Sequence, residues 1–199
     1  MFVIDSHLDL AMNALGWNRD LKQTVKEIRR REEGMAQKGR ACGTTAFPDM
    51  RRGEVGVCLA TVIARVASRP GSLDFTSHDI ACAVAQGQLA YYRILERQGV
   101  VTMIRDWPAL ERISSAWKEG SVEAPFGFIL SMEGADPIPT PDDLPGWWDD
   151  GLRVVGLSHY GVSRYAHGTG TEGGLTPEGR PLLRAMESAG MILDLTHLA

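Results

Sequence analysis

Phe2-Val3-Ile4-Asp5-Ser6-His7-Leu8-Asp9 is a short apolar run that turns polar at its end. Read as a strand, it sends successive side chains to opposite faces, so His7 and Asp9 share a face, one pleat apart. An imidazole beside a carboxylate at a strand end can hold a divalent cation such as zinc. A polar, metal-free strand end would carry the same residues, so the rest of the chain has to decide.

Further along, 54–64 is a near-continuous apolar run rich in β-branched residues, as in a strand buried on both faces of a parallel sheet. Ser77 or Thr76 caps a helix through Ala81, Ala85, Leu89, Tyr92 and Leu95 that stops at Gly99. Residues 100–104 form a short strand, and Asp106 with Pro108 just inside opens a helix closing near Gly120. A strand over 126–131 ends at Met132-Glu133-Gly134, and a short helix covers 144–149. The strand 153–158 ends at His159, and a Gly-rich loop follows. Thr176 then caps a helix with Pro177 at its first position, which Gly190 stops, and the strand 191–196 ends at His197. Upstream, 13–20 reads as a loop and 21–38 as mostly helical, with Gly39 and Gly43 as stops.

Strands alternating with helices imply right-handed β-α-β units and a parallel sheet. With no repeat and no low-complexity linker, residues 1–199 are expected to form one domain. Four strands finish on a potential ligand, at His7/Asp9, Glu133, His159 and His197. In a (β/α)8 barrel the C-terminal strand ends meet at one mouth, where chemistry sits, so the pattern points to a metal site on a TIM-barrel-type α/β fold.

Composition is that of a globular protein, 44% hydrophobic and 23% charged. The net charge of -4 argues against nucleic acid as a partner, and the runs Arg29-Arg30-Arg31 and Arg51-Arg52 read as solvated surface. Cys42, Cys58 and Cys82 form no C-x-x-C pair and fit reduced thiols in a cytoplasmic protein, with Cys58 and Cys82 in the core. The first apolar run breaks at Asp5 and no basic segment precedes it, so neither a secretory signal nor a membrane span is expected.

Other signals are weaker. Gly168 to Gly173 matches G-x-G-x-x-G, yet it neither follows its strand at once nor opens a helix, and reads as a loop over the barrel mouth. His167 in that loop and His78 beside a helix cap read as solvent-facing, and Trp147 and Trp148 as packing. Ser131 and Ser158 lie outside any nucleophile elbow. Asp5 and Asp194 are either acceptors that orient ligands or ordinary hydrogen-bonded carboxylates.

Five segments occur in order: Asp5-Ser6-His7-Leu8-Asp9-Leu10, Ser131-Met132-Glu133-Gly134-Ala135, Gly151 through His159, Gly174 through Arg180, and Gly190 through His197. Together they resemble the renal or membrane dipeptidase family of binuclear zinc hydrolases, over essentially the whole chain. The resemblance implies a metal-dependent (β/α)8 barrel of amidohydrolase type that cleaves dipeptides through a metal-bridging hydroxide, often tolerating a D-residue at the C-terminal position. By the same resemblance His7 and Asp9 match ligands of a first zinc, Glu133 the carboxylate bridging both zincs, and His197 a ligand of the second. His159 matches the histidine that contacts the substrate and stabilises the tetrahedral intermediate.

In that family a further ligand histidine, a substrate-gripping arginine and an acidic proton shuttle follow the segment matching His197, and this chain stops at Ala199. A complete barrel typically needs roughly 250 residues. The chain is therefore expected to be an N-terminal portion with about five or six of the eight strands. An open barrel exposes a strand edge and an apolar face, which invites aggregation or a homodimer. The isolated chain is expected to bind metal weakly and to lack normal dipeptidase activity. The alternatives are hydrolysis of another amide or lactam with the same metals, or a remnant without chemistry; N/O ligation also accepts manganese or cobalt.

Overall fold

Along the chain the elements are β1 (Val3–Leu8), α1 (Leu10–Gly16), α2 (Val25–Glu32), α3 (Phe47–Arg52), β2 (Val55–Val62), β3 (Arg65–Val66), β4 (Asp74–Phe75) and α4 (His78–Arg97). Then come β5 (Val101–Met103), α5 (Trp107–Lys118), β6 (Phe126–Glu133), α6 (Leu144–Asp150), β7 (Leu152–Gly156), α7 (Gly179–Ala189) and β8 (Ile192–Asp194). The computed structural model describes residues 2–67, 74–120 and 124–199.

The two long apolar runs, β2 and β6, pair in parallel in the middle of the sheet, from Val57↔Gly127 to Val62↔Met132. The order is β1-β2-β6-β7-β8, every pair is parallel, and the sheet curls as the open half of a barrel. The short strand over 101–103 is a side strand. It pairs with the first residues of β6, Val101↔Phe126 to Met103↔Phe128, while β7 pairs with the last, Ser131↔Val154 to Glu133↔Gly156.

Alternation divides these strands between two environments. Cys58, Ala60 and Val62 of β2 and Phe128, Leu130 and Met132 of β6 join the main core beneath α4, where the Tyr92 and Phe128 rings stack at 5.0 Å. Val57 and Ile129 lie on the other face and pack against Ile104, Ala109 and Ile113, so α5 closes the N-terminal end of that face. Gly127 permits this close approach: a Cβ there would lie 2.7 Å from Ile104 and 3.0 Å from Ile113. The C-terminal end of the same face is left to Thr61, Ser131 and Glu133.

Helix boundaries follow capping chemistry. Ser77 caps α4, accepting the Ile80 N–H at 3.3 Å, and Asp106 caps α5, accepting that of Ala109 at 2.9 Å. Three expectations are corrected. The charged stretch 21–38 is helical only over α2, because the Thr24–Glu27 capping box starts it late and Gly34, at φ 78°, ends its neighbourhood early. The stretch 13–20 is partly helical, since α1 runs on to Gly16. Thr176 does not cap α7: its hydroxyl donates to Arg164 O at 2.6 Å, and the helix starts at Gly179.

Surface readings divide. Arg29, Arg30 and Arg31 are exposed as expected, but Arg51 stacks over Trp117 and Phe126 at 4.6 Å and donates to Ala124 O. Trp147 is buried packing, Cys58 is buried, and Cys82 is partly so. His78 and His167 are half-buried rather than solvent-facing, with His78 Nδ1 3.0 Å from Asp136 O. No helix of the described residues is long and apolar enough to cross a membrane.

Candidate metal centre

β1 does not deliver His7 and Asp9 by simple alternation. Asp5 pairs with Cys58 and Leu8 with Ala60, so three steps on β1 match two on β2 and the strand bulges between them. Asp5 Oδ1 accepts the His7 backbone N–H at 3.0 Å and holds the bulge. Beyond it His7 and Asp9 approach each other, Nε2 to Oδ1 3.6 Å, and the Thr61 hydroxyl donates to Asp9 Oδ1. The turn after Glu133 needs Gly134, at φ 87°, which lets the chain leave β6 beside His159. His197 follows β8 in the left-handed region, at φ 67°, after a turn in which Asp194 Oδ1 accepts the Thr196 N–H at 2.8 Å.

All five sequence-predicted residues converge on one point. Glu133 Oε1 lies 3.5 Å from His7 Nε2, 3.4 Å from His159 Nε2 and 3.4 Å from His197 Nε2. The His159 and His197 rings meet edge to face, with centroids 4.3 Å apart. Glu133 is buried, and a cleft of about 380 Å³ opens beside it, lined also by Ser6, Leu59, Val154 and Ile192.

Two overlapping trios emerge, His7–Asp9–Glu133 and Glu133–His159–His197, each with donor atoms within 4.8 Å of one another. Two donors at tetrahedral angles about one zinc, each roughly 2.1 Å from it, would sit roughly 3.4 Å apart. The observed 3.4–3.6 Å separations fit that spacing, and the imidazole and carboxylate donors suit zinc.

The electrostatics have the same origin. The hydrogen bonds to Asp9 and Glu133 push the His7 imidazole up to about 10. Burial pushes the Asp9 carboxyl up, but the His7 and Thr61 hydrogen bonds and nearby charge outweigh it and hold the group below its ordinary value. His159 is held below its ordinary value chiefly by burial, which the Glu133 charge opposes and the charges of His197 and Arg65 reinforce. A cation placed here would compete with the His7 proton for the same lone pair.

Sequence reasoning missed the supporting shell. Arg65 Nη1 lies 3.1 Å from His159 Nδ1, and Thr169 Oγ1 lies 2.9 Å from His197 Nδ1. Arg65 follows the long β2 run and Thr169 lies within the Gly-rich loop; neither belongs to a strand-end His or carboxylate pattern, so spacing gave no signal for them.

A parallel half-barrel with a histidine–carboxylate cluster at its C-terminal strand ends defines a class: barrel proteins whose site suits a divalent cation. The chain matches the profile of the membrane dipeptidase family (peptidase family M19) over residues 1–199, and it belongs to that family. Two solved structures resemble it over 100% of its length. One is a metallopeptidase described as dipeptidase AC, 22% identical with TM-score 0.71, of which the chain covers 57%. The other is a metallopeptidase from Rhodobacter sphaeroides, solved with a phosphinate mimic of the dipeptide L-Ala-D-Ala, 21% identical with TM-score 0.72, of which it covers 59%. The chain thus spans somewhat more than half the length of these two proteins. An uncharacterized protein of Acinetobacter calcoaceticus, from the PQQ-III 3′ region, is 29% identical over 85 residues, 38% of this chain and 27% of that one.

Proposed function

We propose that this chain carries the zinc-binding half of a dipeptidase site, with His7, Asp9, Glu133 and His197 as metal ligands and His159 as the group that meets the substrate. One observation carries the reading: the Glu133 carboxylate stands at 3.4–3.5 Å from three imidazole nitrogens delivered by β1, β7 and β8. Glu133 belongs to both trios, which supports a bridging role between two cations. Zinc, when bound, would supply Lewis-acid polarisation of the scissile carbonyl and activation of water. Asp9 is held by the Thr61 hydroxyl, so the carboxylate keeps one orientation toward His7. His159, half-buried beside Glu133, can stabilise charge developing on the carbonyl oxygen. The substrate would be a dipeptide, and the cleft of about 380 Å³ between the strands is of a size for one small molecule. The three free cysteines are consistent with a cytoplasmic protein.

The test is a thermal shift with a phosphinate dipeptide mimic and, separately, a lactam. The mimic should raise the Tm of the zinc-loaded chain and leave the metal-free chain unchanged. A response to the lactam alone favours a different amide hydrolase, and no response from a zinc-loaded chain defeats the dipeptidase reading.

A further inference from the structure

By distance alone His159 and His197 are equivalent, each presenting Nε2 to Glu133 Oε1 at 3.4 Å. Their far sides differ. An arginine guanidinium only donates. Arg65 Nη1, 3.1 Å from His159 Nδ1, therefore makes that nitrogen an acceptor and leaves the ring's proton on Nε2. Arg65 is itself fixed by Asp74, Nε to Oδ1 2.7 Å, across the β3–β4 pair.

At His197 the partner is a hydroxyl, which donates one hydrogen and still accepts. Thr169 Oγ1 lies 3.4 Å from the His197 backbone oxygen, which can only accept, and 2.9 Å from Nδ1; with its one hydrogen on the carbonyl, the hydroxyl is left to accept from Nδ1–H. The proton of that ring then lies on Nδ1, and the Nε2 lone pair faces Glu133. Thr169 is placed for this by its own backbone, whose N–H donates to His159 O at 3.0 Å. Gly168 permits the approach, since a Cβ there would meet His159 O at 2.1 Å.

We infer that Arg65 and Thr169 are positioning residues that fix opposite tautomers on His159 and His197, so one imidazole faces the site as an N–H donor and the other as a lone pair. The inference rests on the roles proposed above and gives them a physical cause. A lone pair can ligate zinc, and an N–H can only donate to an oxygen.

The test is long-range 1H–15N correlation spectroscopy of the 199-residue chain, at a pH where the ring shifts no longer change. Without metal, His159 should show the Nε2–H tautomer and His197 the Nδ1–H tautomer. Added zinc should move the His197 Nε2 resonance and leave that of His159 in place. In Thr169→Val the acceptor is gone while Glu133 still draws the Nε2 proton, so the His197 tautomer ratio should shift toward Nε2–H by about tenfold; Thr169→Ser should restore it. Arg65→Glu should move His159 toward Nδ1–H, and Arg65→Lys should not. The same tautomer on both rings, a His159 Nε2 that shifts with zinc, or an unchanged His197 ratio in Thr169→Val overturns the inference. Opposite tautomers in a chain that takes up no zinc would uphold the device and defeat the metal-site reading instead.

Discussion

Away from the cluster, one buried carboxylate ties together the segments that follow α1 and α2. Glu32 is 4% exposed and receives Arg19 Nε at 2.7 Å, Arg40 Nη1 at 3.0 Å and the Ala41 N–H at 2.8 Å. The Arg19 hydrogen bond first, then the Ala41 N–H and Arg40, outweigh burial and pull the Glu32 carboxyl down to about 2 from 4.5. A depressed folded-state value means stability present above 4.5 and lost as pH falls through about 2. Glu32→Gln should cost about 3 kcal/mol at pH 7, because two guanidiniums lose their charged partner. That deficit should shrink as acid unfolding curves approach pH 2, and a constant deficit would remove Glu32 from the acid response. None of this was legible in the sequence, where Arg19, Glu32 and Arg40 sit in a generally charged stretch. The clustering of the candidate ligands was legible because they sit at or just beyond strand ends, a local signal that survives without tertiary information, although β7 stops at Gly156 and β8 at Asp194, short of the expected His159 and His197.

Among the elements, α4 does more than cover the sheet. The Tyr92 hydroxyl donates to Thr61 O at 2.8 Å and accepts the Ala11 N–H at 3.0 Å, linking the C-terminal end of β2 to the first turn of α1. Those two points flank Asp9, so the tyrosine braces the backbone on both sides of the cluster. Tyr92→Phe should cost about 1–3 kcal/mol, the desolvation of an unpartnered buried group. Chemical denaturation measures it, and a loss below about 0.5 kcal/mol would show that the hydroxyl contributes no more than packing. The helices framed by Ser77, Asp106, Gly99 and Gly120 could be read from the sequence because their caps are local. The β1 bulge and the partial helix in 21–38 could not. A bulge exists only against the partner register, and charged residues with good helix propensity extend a helix on paper that burial of Ile28 and Glu32 does not sustain.

Across the whole molecule, β1 and β8 each have one neighbour in the sheet among the described residues. Ile4 is 57%, Ile192 59% and Leu195 68% exposed. Apolar side chains beside unpaired strand edges favour self-association. Sedimentation of the 199-residue chain should show concentration-dependent oligomers, and Ile4→Lys with Ile192→Lys should shift it toward monomer. An unchanged distribution in the double variant would place the contact elsewhere.

If one carboxylate organises the candidate metal centre, its loss should be visible in zinc uptake, measured by equilibrium dialysis against buffered zinc with the wild type beside Glu133→Gln. Because Glu133 Oε1 belongs to both trios, the wild type should take up zinc and the variant should lose uptake at both positions together. Equal zinc per chain in the two proteins, or none in the wild type, would mean that Glu133 does not organise a cation site.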